Sequence, residues 1–512
     1  MPPAFLTEAE RGNPHTRIDS RRGDGRAYTS GNDVRVLVHG ADYFRDLADR
    51  VRATEPGDLV LFTDWRGDAD QRMDGYDVTI AELLCAAAQR GVLVKGLMWR
   101  SHWRKLHFSA EQNRRLGDLI QAAGGECLRD MRVRLGGSHH QKMFVVRHRR
   151  HPDRDIAYVG GIDLCHSRGD TTDHRGDPQA QHMAAEYGST PPWHDIQLAI
   201  QGPAVGDVEA CFRERWTDPT PLTRHPFRVL SNLIRREDTV ADPLPDQFPD
   251  PPPTGGLDLQ VLRTYPYRRT GFPFAPQGER SVARAYAKAV SGARELIYVE
   301  DQYFWSTDVV DVFADRLAAN PNLYLIAIVP MYPDQDGLAG AAQTFGRARA
   351  LTLLRAAAPD RIGVYSIENE DSVPIYVHAK ASVIDDEWTC VGSDNLNLRS
   401  WTHDTELSCA VHGDDFGRAL RIRLHREHLG RGDTDDRDLI AAKDLFKTYA
   451  QAAADLDAWH ESGRLGRRPP GRLRRYDEPR VGRLRRLLAR PFYHLIADPD
   501  GRPRALRKAG KF

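Results

Sequence analysis

Apolar and polar positions follow the same order in both halves of the chain. DLVLFTDW (58–65) is an apolar run of strand length and predicts a buried strand. Ile80, Leu83, Leu84 and Ala87 follow at i, i+3, i+4 and i+7, one face of a helix that Gly91 closes. VLVKGLMW (92–99) is the next strand-length run. The second half repeats the series. ELIYVEDQYF (295–304) reads as a strand, Val310, Phe313 and Leu317 mark a helix face stopped at Asn320-Pro321, and LYLIAIV (323–329) reads as the next strand. Strand–helix–strand units imply parallel strands covered by helices.

Between the halves lies TVADPLPDQFPDPPPTGG (239–256), whose prolines and terminal glycines exclude regular structure. The expected organisation is a first lobe with an N-terminal extension over 1–238, this linker, a second lobe over 257–430, and a helical, Arg-rich extension over 431–512. DLIAAKDLFKTYAQAAADLDAWH (438–460) supplies the helical pattern of that extension. The predicted fold class is α/β: two similar lobes, each a mixed β-sheet flanked by helices, related by a pseudo-twofold. One chain then acts as its own pseudo-dimer.

With 512 residues, 40% hydrophobic and 28% charged, the chain has globular composition and length enough for a large core. Formal net charge is zero, which by itself points to no polyanionic partner. The basic residues are unevenly placed: 464–512 holds sixteen Arg/Lys against four Asp/Glu. That tail reads as a solvated face, as a contact for anionic lipid, or as a nucleic-acid contact. Within it RVGRLRRLLARPFYHLI (480–496) sets Leu484, Leu487 and Leu488 near one helical face among arginines, the pattern of an interfacial helix. No secretory signal and no apolar run near 18 residues is present. The six cysteines form no CxxC, as expected of reduced thiols. A cytoplasmic protein, peripheral at the inner face of the membrane through its tail, is the expectation.

The candidate chemistry is also written twice. HHQKMFVVR (139–147) and VHAKASVID (377–385) each carry His-x-Lys before a β-prone run. Residues two apart on a strand share a face, so His140 lies beside Lys142 and His378 beside Lys380, while His139 and Gln141 point away. An imidazole beside a fixed cation suits attack on an anionic group such as a phosphodiester. Each segment leads to a glycine turn. VGSDNLNLRSW (391–401) offers Ser393, Asn395 and Asn397 as donors to substrate, and VGGIDLCHSRGD (159–170) puts Asp163 at the place of Asn395. An acid then precedes an alternating run: Asp195 in HDIQLAI, Glu406 in DTELSCAV. Such a carboxylate fixes an imidazole's tautomer. Trp65, Trp193 and Trp401 either border the pocket or pack in the core.

IYVHAKASVIDD…VGSDNLNLRS resembles the H-x-K-x4-D…GSxN signature of the phospholipase D superfamily. IYVEDQYF (297–304), VGGIDL (159–164) and PWHDIQLAIQGPAVGDVEACFRERW (192–216) are similar to segments of its eukaryotic-type members. The resemblance covers roughly 40–430 and implies the phospholipase D fold, with one histidine (His140 by analogy) forming a phosphohistidine and the other, His378, serving the leaving and entering alcohols as acid and base. It makes Lys142, Lys380 and Asn395 stabilisers of phosphoryl charge, and requires no cofactor and no metal. Asp385 joins the catalytic set by its place in the motif. Arg147 stands where the first copy should have that acid. Either the loop RHRRHPDRD (147–155) returns Asp153 or Asp155, or Arg147 faces solvent, and the acid organises structure rather than attacking. The expected substrate is a phospholipid or other phosphodiester. The alternatives are a cardiolipin-synthase-like phosphatidyltransferase, a superfamily nuclease (nucleic acid being the weaker partner), and a non-catalytic lipid- or phosphate-binding protein.

Overall fold

The structure is a computed structural model that describes residues 2–73, 78–102, 109–432, 435–478 and 482–512. The first lobe contains β1 (Thr29–Val38), β2 (Leu59–Asp64), β3 (Leu93–Trp99), β4 (Glu126–Asp130), β5 (Met143–Arg147), β6 (Ile156–Gly160), β7 (Trp193–His194) and β8 (Ile196–Gln201). The second contains β9 (Leu257–Tyr265), β10 (Glu279–Arg280), β11 (Leu296–Asp301), β12 (Tyr324–Ile328), β13 (Ile362–Ile367), β14 (Tyr376–Val377), β15 (Lys380–Ile384), β16 (Trp388–Gly392) and β17 (Glu406–His412). The tail adds β18 (Leu473–Arg475).

The strand order β1-β8-β6-β5-β2-β3-β4 in the first lobe matches β9-β17-β16-β15-β11-β12-β13 in the second, strand for strand. The lobes join where β1 pairs antiparallel with β9, so 16 strands make one mixed sheet. β2, β3 and β4 are parallel, as are β11, β12 and β13, and the remaining neighbours are antiparallel. The period of two in β2 sorts its residues between two cores. Leu59 and Leu61 enter the core common to both lobes, while Val60 and Phe62 pack under the helices Gly40–Arg52 and Ile80–Gln89. The second of these helices starts at Thr79, whose hydroxyl accepts the Glu82 N–H while the Glu82 carboxylate accepts the Thr79 N–H.

The proline-rich linker has neither helix nor strand and is nevertheless held: Arg213 donates to Pro245 O at 2.6 Å and Trp216 Nε1 to Asp242 O at 2.8 Å. The N-terminal extension packs on both lobes: buried Arg11 pairs with Glu279 of the second at 3.1 Å, and Arg21 with Asp207 of the first at 2.7 Å. The C-terminal extension belongs to the second lobe, because β18 extends its sheet beside β13. Arg472 and Arg474 there pair with Glu427 at 3.3 Å and Glu368 at 2.9 Å. Much of the tail's positive charge thus has internal partners. In the helix Arg483–Phe492, Ala489 is buried against the helix Gly337–Ala357, and Leu487 and Leu488 are exposed. Residues 480 and 481 and the Leu484 side chain lie outside the described residues.

Candidate active site

Two short cross-lobe bridges bring the duplicated segments together. His139 pairs with Thr405 as an isolated bridge, and His140 N donates to Thr405 O at 3.0 Å. Symmetrically, Val377 pairs with His194 between β14 and β7, and His378 N donates to His194 O at 2.8 Å. Each bridge sets the imidazole of one lobe against the acid that begins the next strand of the other. His140 Nδ1 lies 2.8 Å from Glu406 Oε2, and His378 Nδ1 lies 2.6 Å from Asp195 Oδ2. With Nδ1 engaged, Nε2 is the ring atom left for substrate.

Burial, followed by the charges of Lys142 and Lys380, holds His140 well below the ordinary histidine range. Burial, then Lys380 and Arg168, does the same to His378. Burial also raises the partners, Glu406 to about 8 and Asp195 above its usual value. Burial thus disfavours the charged form of both partners in each pair, and the short Nδ1–carboxylate contact orients the ring. Each imidazole is also within electrostatic reach of both lysines.

The lysines are treated differently. Lys142 Nζ is 3.4 Å from Asp163 Oδ1 and donates to His140 O at 3.2 Å. Lys380 Nζ donates to the neutral Gln302 Oε1 at 3.0 Å and to His378 O. Burial, against the attraction of Asp195, brings Lys380 down to about 8. Asp163 touches a second carboxyl, Asp64, at the end of β2. Burial and the Asp163 charge push Asp64 up, while on Asp163 the burial penalty is outweighed by Lys142, the hydrogen bond from Asp64, Arg168 and His378 acting together, which pull it down. Asp64 is thus the protonated member. In the second lobe Asp301 ends β11 and accepts from Leu396 N at 2.8 Å, and the neutral Asn395 replaces Asp163. Asn395 is buried with Oδ1 unpaired among the described residues, the kind of orphaned atom a bound group satisfies.

Arg168 is a third cation. Its guanidinium lies 3.9 Å over the Trp193 ring, which packs 5.0 Å from the His378 ring, and it approaches Asp163 at 3.6 Å. Trp65 lies 6.4 Å from the His140 ring, whereas Trp401 is buried in the core of the second lobe. Sequence reasoning passed over Arg168, Gln302, Asp64 and Asp301. Asp64 and Asp301 were visible as the shared acidic ends of the duplicated strands; the others carried no signal beyond lying in the quoted segments.

Three expected site residues serve other ends. Ser393 Oγ donates to Glu406 Oε2 at 2.6 Å, so it positions the carboxylate instead of meeting substrate. Its counterpart Gly161 has no room for a side chain, since a Cβ would lie 2.2 Å from Asp195 Oδ1. Asn397 caps the helix Leu398–Thr402, its Oδ1 accepting Ser400 N at 2.7 Å. Asp385 sits beyond the far end of β15 from Lys380, where it accepts the N–H groups of Arg294, Glu295 and Leu296 at 2.7, 2.9 and 2.9 Å and clasps the start of β11. It is a structural residue, not a catalytic one.

The first lobe makes the same clasp from the other strand. Asp58, just before β2, accepts Arg149 N at 2.9 Å and meets His148 Nδ1 at 2.8 Å. Arg147, freed of that task, is buried rather than facing solvent. It pairs with Asp155 at 2.7 Å and with Glu209, and donates to Pro249 O at 2.6 Å, pinning the linker. The 147–155 loop does return an acid, Asp155, but to Arg147.

Behind the bridge of β7 and β14 lies a buried ionic network. Glu427 Oε1 receives His39 Nε2 at 3.1 Å and His174 Nε2 at 3.0 Å, and Glu300 receives His194 Nε2 at 2.5 Å and His428 Nε2 at 2.7 Å. Burial opposes charge on His194, but Glu300 and Glu427 together raise it to about 10. His39, His174, His194 and Glu427, and separately His194, Glu300 and His428, are spaced closely enough to ligate a cation. His194 of this network ends β7, next to Asp195.

A large mixed sheet whose two halves repeat one strand order, each half carrying one His-x-Lys segment, defines a two-lobed, internally duplicated α/β class of protein. The phospholipase D family model matches residues 68–237, and the model of the cardiolipin synthase PLD-like domain matches 287–426. The chain belongs to the phospholipase D superfamily. Phospholipase D alpha 1 of Cynara cardunculus is 24% identical, over 80% of this chain and 65% of its own length. Phospholipase D alpha 2 of Oryza sativa subsp. japonica is 24% identical, over 77% of this chain and 65% of its own. The chain thus spans about two thirds of the length of these relatives. Phosphatidylserine synthase of Haemophilus influenzae Rd KW20 shares the fold with a TM-score of 0.52 at 13% identity, over 85% of this chain and 95% of that one. No helix of the described residues is long and apolar enough to cross a membrane.

Proposed function

We propose that the protein cleaves or exchanges the headgroup of a phospholipid through a phosphohistidine intermediate. The observation that carries this reading is the crossed pair of buried imidazole–carboxylate contacts flanking two lysines, His140–Glu406 and His378–Asp195. An anionic phosphodiester entering between Lys142, Lys380 and Arg168 offsets the cations that suppress imidazolium, and His378 then accepts a proton from solvent. His140 Nε2 attacks phosphorus, and the P–O bond to the leaving alcohol breaks as His378 Nε2–H protonates that oxygen. Water or an alcohol then gives its proton to His378 and attacks the phosphohistidine, releasing His140. The lysines and the Asn395 amide face the charge that grows on the phosphoryl oxygens. The assignment of His140 as nucleophile rests on family resemblance.

The similarity of the second lobe to the cardiolipin synthase PLD-like domain supports an alcohol as acceptor beside water. One experiment covers both. Mixed phospholipid vesicles are incubated with the wild type, His140→Ala and His378→Ala, with and without a primary alcohol, in EDTA. Phosphatidate, or phosphatidyl alcohol when alcohol is present, is expected from the wild type alone, and acid-labile phosphoenzyme from His378→Ala. Turnover of nucleic acid without turnover of any lipid would replace this reading with the nuclease one.

A further inference from the structure

The helix Pro226–Arg235 is seated by its polar residues and turns its apolar ones to solvent. Asn232 is its one buried residue and accepts from Arg100 Nη2 at 2.5 Å, and Arg228 donates to Ser101 O at 3.1 Å. Phe227, Leu230, Leu233 and Ile234 are all exposed, Leu233 to 76%. Side chains of this kind leave water whenever a surface is offered, and a cluster of them marks an interaction site.

The place of this helix ties it to the site. Ser101 and His102 follow β3, and His102 Nε2 meets Gly137 O at 3.1 Å in the loop that runs into His140. On the same loop Leu135 is 97% exposed. Arg399 bridges the loop to the C-terminal segment, donating to Gly136 O at 2.8 Å and to Ile496 O at 2.7 Å, and Leu495 and Ile496 are exposed in turn. Apolar side chains are therefore exposed on both sides of the loop that runs into His140. Between the loop and the start of the helix is a cleft of about 440 Å³ whose charged lining is Arg132, Arg134, Arg224, Arg268 and Arg269, with no carboxylate. Arg132 is paired with Asp130; the helix segment RHPFRVLSNLIRR (224–236) adds further arginines and no acid.

We propose that this face, formed by the helix Pro226–Arg235, the Leu135 loop and the arginine cleft, docks the protein on an anionic phospholipid bilayer. Its apolar side chains enter the boundary between headgroups and acyl chains, and its arginines meet lipid phosphates. The inference rests on the phospholipid reading above and names the surface that delivers that substrate, in place of the tail that charge alone suggested. A cleft whose charged lining is entirely cationic, beside exposed Phe, Leu and Ile, matches an anionic interface, and it adjoins the loop that runs into His140.

The test is flotation of the full chain with vesicles of phosphatidylcholine, with and without phosphatidylglycerol. Wild type is compared with the combined variant Phe227→Ser, Leu233→Ser, Ile234→Ser, and with Leu135→Ser. All four positions are exposed, and circular dichroism checks the fold. Binding to anionic vesicles is expected to fall at least about tenfold in the combined variant. Turnover of a short-chain phospholipid held below its micellar concentration should stay at the wild-type level. Unchanged vesicle binding in the combined variant overturns the docking face. So does wild-type protein that ignores vesicles but self-associates through this helix in sedimentation, since the helix then covers a second copy. Vesicle binding lost in the variant, with no lipid turned over by any form, keeps the docking face and defeats the catalytic reading instead.

Discussion

His140 belongs to the first lobe and is oriented by Glu406 of the second, 2.8 Å away. The reciprocal contact, His378 to Asp195, crosses the same boundary in the other direction. Neither His140 nor His378 meets its carboxylate within its own lobe, so both of these pairs form only where the lobes are joined. Glu406→Gln and Asp195→Asn are each expected to lower kcat by about 10³–10⁴-fold, because the amide no longer holds the tautomer or supports an imidazolium. Glu406→Gln added to His140→Ala should cost little more than His140→Ala alone. Rates of headgroup release by the two single variants and this double variant check both statements.

Lys380 predicts the alkaline side of the pH profile. Its pKa of about 8 means that the cation is present below that pH and lost above it. The log of kcat/KM should therefore fall above about pH 8. Lys380→Arg carries a guanidinium that does not titrate in this range. Whatever activity it retains should stay level through pH 9, which a pH series on the two proteins tests directly.

The two half-sites differ beside their lysines, Asp163 in the first against the neutral Asn395 in the second. Asp163→Asn frees Lys142 from its counter-ion and should tighten binding of inorganic phosphate, a competitive inhibitor, by about tenfold; Asn395→Asp should weaken it similarly. Equal inhibition constants in the two variants would show that neither residue faces the phosphoryl group.

Arg147 is a matter of stability rather than catalysis. Arg147→Ala leaves buried Asp155 without its counter-charge and Glu209 with Arg213 alone, and should cost about 3–5 kcal/mol in urea unfolding. The folded fraction should keep nearly the wild-type kcat. Arg147→Asp adds a third carboxylate and should be worse, although it restores the family's motif.

Acid should destabilise the protein early. Burial lowers His39 and His403 to about 4 in the folded chain. Above pH 6.5 both states hold these residues neutral. Below it the unfolded chain takes up protons that the folded chain refuses, so stability falls as pH drops from about 6.5 toward 4, by a few kcal/mol per buried histidine. His39→Asn should show a shallower decline in melting temperature over that interval.

The sequence by itself determined the duplication and the strand–helix–strand units, because apolar residues recurring every 3.6 or every 2 positions select the element. The strands expected to set each histidine beside its lysine begin later, β5 at Met143 and β15 at Lys380, and leave both histidines in the segments just before them. The sequence also marked Asp195 and Glu406 as acids of the site. Which acid meets which imidazole was a property of the tertiary structure alone, set by the bridges His139–Thr405 and Val377–His194 between segments more than 180 residues apart. The same holds for Ser393, Asn397 and Asp385, each polar and each inside the motif, whose partners turned out to be a carboxylate and backbone N–H groups. Arg147 looked like a defect because only the neighbouring strand shows that Asp58 makes the clasp in its stead. A side chain's chemical type is local, but its partner is chosen by packing between distant elements, and the partner decides whether a polar residue builds the site or holds the fold.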